Sequence, residues 1–327
     1  MRYLVTGGAG FIGSHLVRSL IESGHEVRVI DDFSTGKREN IEGLDLELVE
    51  GDVRNLEQVE RAVRGVDYVI HLAALASVAR SLNDPLASHS VNATGTLVVL
   101  QASRENGVKR VVYAGSSSAY GNSEVLPKQE DAIPAPESPY AVSKLSAEYY
   151  CRMYFKTMGL ETACVRYFNV FGPRQAPDSQ YAAVIPKFIE AALNGRAPVV
   201  YGDGTQSRDF TYVANAVEAT IRAATAEGAA GETINVACGE RRSLRDLLGE
   251  IENLLGTRLT PQFTDPRPGD VRHSLADIGK AQRLLGYEPQ IGFSEGLRQT
   301  LSWFDSRTAI LSADKAVNPG GRLRSAR

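Results

Sequence analysis

Cysteine is scarce in this chain of 327 residues. There are three, Cys151, Cys164 and Cys238, odd in number and widely spaced, with no Cys-x-x-Cys pair. That pattern excludes a disulfide framework and a zinc site, so no metal ligands are expected, and it predicts buried thiols in a cytoplasmic protein. Long apolar runs are missing too: no window approaches the roughly 18 uninterrupted apolar residues of a membrane span. Neither sign of charge dominates. The formal net charge is −3 and the isoelectric point about 6.0, which gives no electrostatic reason to expect nucleic acid or an anionic membrane as partner. Strand-like Arg2–Thr6 follows Met1 at once and leaves no room for a signal peptide. Internal repeats and low-complexity segments are absent.

What is present is an alternation. Apolar residues make up 43% and charged residues 23%, the composition of an ordinary globular protein, and the length suits one large α/β domain or two unequal ones. Strands are predicted at Tyr3–Thr6, Glu26–Ile30, Leu46–Glu50, Asp67–His71, Arg110–Ala114 and Glu161–Arg166. Helices are predicted at Phe11–Ser23, Asn55–Arg64, Pro85–Asn106 and Pro139–Met158. Nearly continuous apolar strands separated by helices point to a parallel sheet covered on both faces, an α/β doubly wound fold. After about residue 170 the rhythm loosens. Gly, Pro and Asp gather in Phe171–Asp178, Tyr201–Arg208 and Asp265–Asp270, with helical stretches at Ala182–Asn194, Tyr212–Ala226 and Ser243–Leu255. The expected organisation is a nucleotide-binding domain over 1–170, to which the chain returns later, a smaller mixed α/β substrate-binding region over 171–305, and a mobile polar tail over 306–327.

The first strand runs into Gly7-Gly8-Ala9-Gly10-Phe11-Ile12-Gly13 and then a helix. In such a turn Gly7 makes the tight bend, Gly10 lets the backbone touch a pyrophosphate and Gly13 lets the helix pack close to the sheet; the helix N-terminus supplies free amides for the phosphates. Asp31 ends the second strand, 18 residues after Gly13. A carboxylate there binds the adenosine ribose and repels a 2′-phosphate, so NAD is expected over NADP. Asp32 is adjacent, and one of the two is free to be merely solvated. Lys37 and Arg38 follow, as surface charges or as a moderating influence on that preference.

Tyr140 and Lys144 stand at i and i+4, on one face of a predicted helix. An ammonium near the phenol favours the phenolate, as does the positive charge of an oxidised nicotinamide, and the pair becomes a base for a hydroxyl proton. Upstream, the strand Arg110–Ala114 ends in Gly115-Ser116-Ser117-Ser118, at the carboxyl edge where doubly wound sheets bind ligands. A serine there can bind the same hydroxyl.

With these motifs in order, the chain over about residues 1–305 resembles the extended short-chain dehydrogenase/reductase family and, within it, the NAD-dependent nucleotide-sugar epimerases. The resemblance rests on Thr6–Gly13, Asp31-Asp32, His71–Ala74, Ser116–Gly121, Tyr140–Lys144, Arg166–Pro173 and Arg208–Phe210. It implies a Rossmann-type fold, and a homodimer formed through the helices Pro85–Asn106 and Pro139–Met158. For the cofactor, it implies that Phe11 and Ile12 belong to the glycine loop's site. Asp52 and Val53 would reach the adenine, Leu72, Ala73 and Ala74 would line the site, Asn92 would support it, and Tyr167 would flank the nicotinamide with Phe168. For a UDP-sugar, Asn169 would bind the diphosphate, and Ala183, Val184, Lys187 and Phe188 would form the nucleotide pocket. Val199 and Tyr201 would embrace the uracil, and Arg208 and Arg267 would clamp the diphosphate through the planar fork of the guanidinium. Asp270 would take a ribose hydroxyl or cap a turn, and Arg208 has the alternative of an ion pair with Asp209. The family places its catalytic Ser or Thr four residues before the Tyr of a Tyr-Gly pair, which is Ser116 counted from Tyr120; Ser117 stays open if the turn is shaped differently.

The same resemblance bears on the reaction. Dehydratases of the family carry an Asp-Glu pair after the catalytic Thr, and decarboxylases a Glu in the same stretch. Here those positions are Ser117-Ser118, or Ser118-Ala119 in the other register. A C4 epimerase needs only room for a 4-keto sugar to turn over. In members confined to UDP-glucose and UDP-galactose a bulky Tyr follows the Gly-Asp of the nucleotide loop. Ser274 occupies that position and leaves volume for a 2-acetamido group, unless it is a neutral surface serine. The expectation is a 4-epimerase of UDP-N-acetylglucosamine and possibly UDP-glucose. UDP-glucuronate epimerisation is the alternative, and a non-catalytic NAD sensor the alternative from another class.

Overall fold

A computed structural model describes residues 1–177, 183–266 and 271–317. Strands β1 (Arg2–Thr6), β2 (Glu26–Asp31), β3 (Glu47–Glu50), β4 (Tyr68–His71), β5 (Arg110–Ser116) and β6 (Glu161–Tyr167) form a sheet with the edge strand Thr233–Val236. The order is Thr233–Val236, β6, β5, β4, β1, β2, β3, and every pairing is parallel. Successive side chains enter opposite cores, as the two-residue period of a strand dictates. Tyr3 and Val5 join one apolar cluster, and Leu4 joins the other. One face is covered by α1 (Phe11–Glu22) and the later α8 (Val213–Thr225), and the other by α2 (Leu56–Val63), α5 (Gly95–Glu105) and α6 (Pro139–Thr157). The strand order reverses between β1 and β4, which opens a crevice at their carboxyl ends.

Local chemistry sets the helix starts. Ser138 accepts the Ala141 amide at 3.1 Å and Pro139 fills the first helical position of α6; Asn55 caps α2 in the same way. The second region holds α7 (Val184–Leu193), α9 (Leu244–Leu255), α10 (Gly279–Leu285), α11 (Phe293–Val317) and three two-stranded pairings. Among the described residues no helix is long and apolar enough to cross a membrane.

The structure departs from the sequence expectation at four points. The helix predicted over Pro85–Asn106 is interrupted: α4 (Pro85–His89) leads into a π turn at Ser90–Thr94 and only then into α5. A short helix, α3 (Val78–Asn83), precedes it, capped by Ser77. The sheet gains Thr233–Val236, an edge strand defined by its pairing with β6. The last helix continues to Val317, into the stretch expected to be a tail; no Gly or Pro interrupts the chain there before Pro319.

The π turn follows from what Asn92 does. Its Oδ1 accepts the Leu75 amide at 2.8 Å, and its Nδ2 donates to the Leu75 carbonyl at 3.3 Å and to Ser143 Oγ of α6 at 3.0 Å. The Asn92 carbonyl accepts Thr96 Oγ1 at 2.6 Å. Widened turns of this kind recur where a side chain must be aimed inward. Nearby, α6 is tied to β6 by a buried bidentate pair, Arg166 with Glu148, at 2.9 and 2.7 Å. Removing one partner strands the other charge in the core, so Glu148→Ala is expected to cost about 3–5 kcal/mol of stability. Urea unfolding measures this, and a cost near zero would mean the pair is not desolvated in solution.

Candidate functional site

A cleft of about 1540 Å³ runs along the carboxyl edge of the sheet, from the glycine turn across Tyr140 and into the second region. At one end, Gly7, Gly10, Phe11, Ile12 and Gly13 line it together with Asp31, Asp32, Asp52, Val53, Leu72, Ala73 and Ala74. The turn tolerates nothing larger: Gly7 has φ +69°, and a Cβ on Gly13 would lie 2.1 Å from the Gly7 carbonyl oxygen. That leaves the backbone bare for a pyrophosphate, which is the fit a dinucleotide requires.

Asp31 is buried, and its carboxylate has an occupation the sequence did not disclose. It accepts the Ala9 amide of the glycine turn and the Phe33 amide, both at 2.9 Å. Burial pushes its pKa up, and the two amides pull it back. Each oxygen keeps a second lone pair for a ribose. Asp32 is exposed and is held by Ser34. Arg38 stacks on Phe33 at 4.1 Å and pairs with Glu50, which takes it away from the cofactor end as a countercharge. Asp52 pairs with Arg54. Asn40, which sequence reasoning missed, donates to the Ala9 carbonyl at 2.8 Å and so braces the turn; nothing local marks it. Asn92 does not line the cleft. It sits behind the cofactor wall, 1% exposed, and fixes Leu75.

Behind that wall the polar groups form a chain. The Leu72 and Ala73 amides donate to Thr6 Oγ1 at 3.2 and 3.1 Å. Thr6 Oγ1 meets His71 Nδ1 at 2.7 Å, and His71 Nε2 meets Thr96 Oγ1 at 3.0 Å. With both Thr6 acceptor sites used, its hydrogen points to Nδ1, so His71 carries its proton on Nε2 and is neutral. Burial, with Lys144 adding to it, pushes the His71 pKa down to about 3.

Midway along the cleft, Ser116, Ser117, Tyr140 and Lys144 come together. Ser116 is the serine of this turn that acts on the Tyr140 side chain: burial raises the Tyr140 pKa and Ser116 lowers it. Lys144 is 5% exposed. Burial pulls its pKa down to about 8, and its ammonium lies 4.6 Å from the centre of the Tyr113 ring. Tyr167 also faces the cleft and bonds Thr220 Oγ1 at 2.6 Å.

At the far end Asn169, Ala183, Val184, Lys187, Phe188, Val199, Tyr201, Arg208 and Ser274 line the cleft. Arg267 and Asp270 lie outside the described residues. Ser274 is not a surface serine: it is 7% exposed and accepts Asn169 Nδ2 at 3.2 Å. Asn169 adopts φ +36°, a left-handed conformation that Asn tolerates better than most residues. The Asp209 carboxylate is engaged by the amides of Cys238, Gly239 and Ala276, so its recorded role is to clamp loops; burial lifts its pKa to about 6.

Comparison with known proteins agrees with this geometry. Residues 3–237 match the model of the NAD dependent epimerase/dehydratase family. The chain is 38% identical over 319 residues to the UDP-glucose 4-epimerase of Mycolicibacterium smegmatis, covering 94% of this chain and 100% of that one. The structure of a UDP-glucose 4-epimerase with UDP-glucose from Thermotoga maritima superposes with a TM-score of 0.91 at 38% identity, over 94% of this chain and 100% of that one. A UDP-N-acetylglucosamine 4-epimerase from Methanobrevibacter ruminantium, in complex with UDP-N-acetylmuramic acid, gives 0.90 at 42% identity, over 94% and 98%. The chain belongs to the NAD-dependent epimerase/dehydratase family; it is an enzyme, and its cofactor is NAD.

The neutral, buried His71 makes stability depend on pH. Its folded pKa of about 3 lies below the ordinary 6.5, so the unfolded chain takes up the proton first. The contribution is complete above about pH 6.5 and is lost as pH falls toward 3. Between about pH 7.5 and pH 5 the loss from this group is on the order of 2 kcal/mol. Urea midpoints of the wild type and His71→Asn at the two pH values test this, and parallel behaviour of the two proteins would show that His71 protonates in the fold.

Proposed function

We propose that the protein is a C4 epimerase of UDP-hexoses that accepts 2-acetamido sugars, converting UDP-N-acetylglucosamine and UDP-N-acetylgalactosamine into one another. The observation that carries this is the composition of the reacting set: Ser116, Tyr140 and Lys144 meet in the cleft, and the turn after Ser116 offers hydroxyls and no carboxylate. Elimination or decarboxylation calls for a further acid or base at that place. Inversion at C4 calls for none.

Bound NAD supplies the acceptor, and then the donor, of the C4 hydride. The chain's residues do the rest. Tyr140 takes the proton of the sugar O4 as the C4 hydride leaves, which produces a 4-keto sugar. Ser116 holds the same oxygen. Lys144 keeps positive charge beside the phenol; with a pKa of about 8 it is largely protonated at neutral pH. The keto sugar swings about its diphosphate link, C4 receives the hydride on the opposite face, and Tyr140 returns the proton to O4. No net oxidation occurs. Asn169, Arg208 and Arg267 hold the diphosphate in this reading. Ala183, Val184, Lys187, Phe188, Val199, Tyr201 and Asp270 hold the uridine, and Ser274 leaves the acetamido group its room.

Proton NMR of the protein with UDP-N-acetylglucosamine and with UDP-glucose tests the reading. A galacto anomeric signal is expected with the first substrate without added cofactor. Activity on UDP-glucose alone would refute the part assigned to Ser274, and silence with both, even after NAD is added, would sink the UDP-hexose reading and turn the search to UDP-glucuronate. Tyr140→Phe is expected to lower kcat by about 10²–10⁴-fold, and Ser274→Tyr to spare UDP-glucose while excluding the acetamido sugar.

A homodimer is part of the same proposal. Leu82, Leu86, Val142, Tyr149 and Met153 are exposed at 55, 81, 46, 50 and 36% on α3, α4 and α6. Val142, Tyr149 and Met153 share one stripe of α6 at helical spacing. Sedimentation is expected to give a dimer for the wild type and a monomer for Tyr149→Glu combined with Met153→Glu.

A further inference from the structure

A serine hydroxyl has two acceptor sites and one hydrogen. On Ser116 both acceptor sites are filled by a single residue. The Ser118 amide donates to Ser116 Oγ at 3.2 Å, and the Ser118 hydroxyl donates to the same oxygen at 2.8 Å. The lone hydrogen of Ser116 is left free of Ser118, in the cleft that Ser116 shares with Tyr140. We propose that Ser118 is a positioning residue which fixes the polarity of the Ser116 hydroxyl, so that Ser116 meets Tyr140 and the reacting sugar oxygen as a donor. The proposal rests on the reading of Tyr140 as the base.

Polarity matters because the two orientations have opposite effects. A hydroxyl donating to the phenol oxygen stabilises the phenolate. A hydroxyl turned the other way receives the Tyr140 proton and holds the phenol neutral. Tyr140 is already penalised by burial, so the sign of this one bond decides whether the base forms near neutral pH.

The turn is built to keep Ser118 in place. Ser116 ends β5 and caps the 3₁₀ turn Ser117–Tyr120. The turn is anchored by Tyr120, whose hydroxyl donates to Asn235 Oδ1 at 2.6 Å, and by the Ala119 carbonyl, which accepts the Ala135 amide at 2.9 Å. The Tyr120 ring lies 4.7 Å from the guanidinium of buried Arg166. These contacts hold the backbone of the turn, and with it the Ser118 amide, against Ser116. Ser117 stands between them, and no hydrogen bond of its hydroxyl is recorded among the described residues, so the device belongs to Ser118 alone.

The test compares Ser118→Ala and Ser118→Thr with the wild type. Both variants keep the Ser118 amide that Ser116 caps; only the first removes the hydroxyl. Ultraviolet difference titration of NAD-loaded protein follows tyrosinate formation, and Tyr140→Phe identifies the Tyr140 transition. In Ser118→Ala that transition is expected about one pH unit higher, with Ser118→Thr unchanged. In turnover the same unit appears as a fall of about ten-fold in kcat at neutral pH, a KM within two-fold of the wild type, and recovery as pH rises. A Tyr140 transition that does not move in Ser118→Ala overturns the proposal. So does a raised KM at unchanged kcat, which would put the Ser118 hydroxyl on the substrate. Because the titration needs no sugar, a wild type that turns over no UDP-hexose counts against the proposed function, while an unmoved transition counts against Ser118.

Discussion

The buried hydrogen-bond chain from Thr6 through His71 and Thr96 to Asn92 is the constraint on which the site depends. It begins on β1, crosses β4 and ends in the π turn before α5. One end fixes the amides of Leu72 and Ala73, the wall of the cofactor end. The other passes through Asn92 to Ser143, whose hydroxyl donates to the Tyr140 carbonyl at 2.8 Å. The backbone under the cofactor and the first turn of α6 are therefore held by one connected set of bonds. A partly satisfied buried network costs more than none. This one closes because each hydroxyl accepts a hydrogen bond and donates one onward.

A second set of forces acts on α6. Tyr140, Lys144 and Glu148 recur at four-residue spacing on one face of that helix, so all three point the same way. Glu148 is pinned to Arg166 of β6, and Arg166 in turn packs on Tyr120 of the serine turn. The helix that carries Tyr140 and the turn that carries Ser116 thus meet at the same guanidinium. Burial works against the chemistry, raising the phenol and lowering the ammonium. In the proposed mechanism what offsets it is local: the Ser116 hydroxyl, and positive charge brought by the cofactor.

Much of this was legible in the sequence, and the reasons are physical. The glycine turn and the Tyr140–Lys144 pair depend on neighbours within a few residues, so their spacing carries their geometry. Strand β5, seven residues with its interior fully buried, announces itself as an apolar run. The illegible parts depend on distant partners. The π turn exists because Asn92 must meet Leu75 and Ser143, 17 and 51 positions away. The edge strand Thr233–Val236 has only four residues and is defined by its pairing with β6. The placing of Ser116 and Ser117 depends on the shape of a 3₁₀ turn, and Ser274 is buried against Asn169, 105 positions away.

The double occupation of Asp31 bears on how such a chain can change. The carboxylate that would turn away a 2′-phosphate also tethers Ala9 and Phe33, and a Cβ on Gly36 would come within 2.8 Å of it. A mutation that exchanged it for a neutral residue, to admit the phosphorylated cofactor, would release the glycine turn in the same stroke. The path from one cofactor to the other therefore passes through a damaged fold unless the turn is rebuilt first. The residue that would select the cofactor is thus also a residue of the fold.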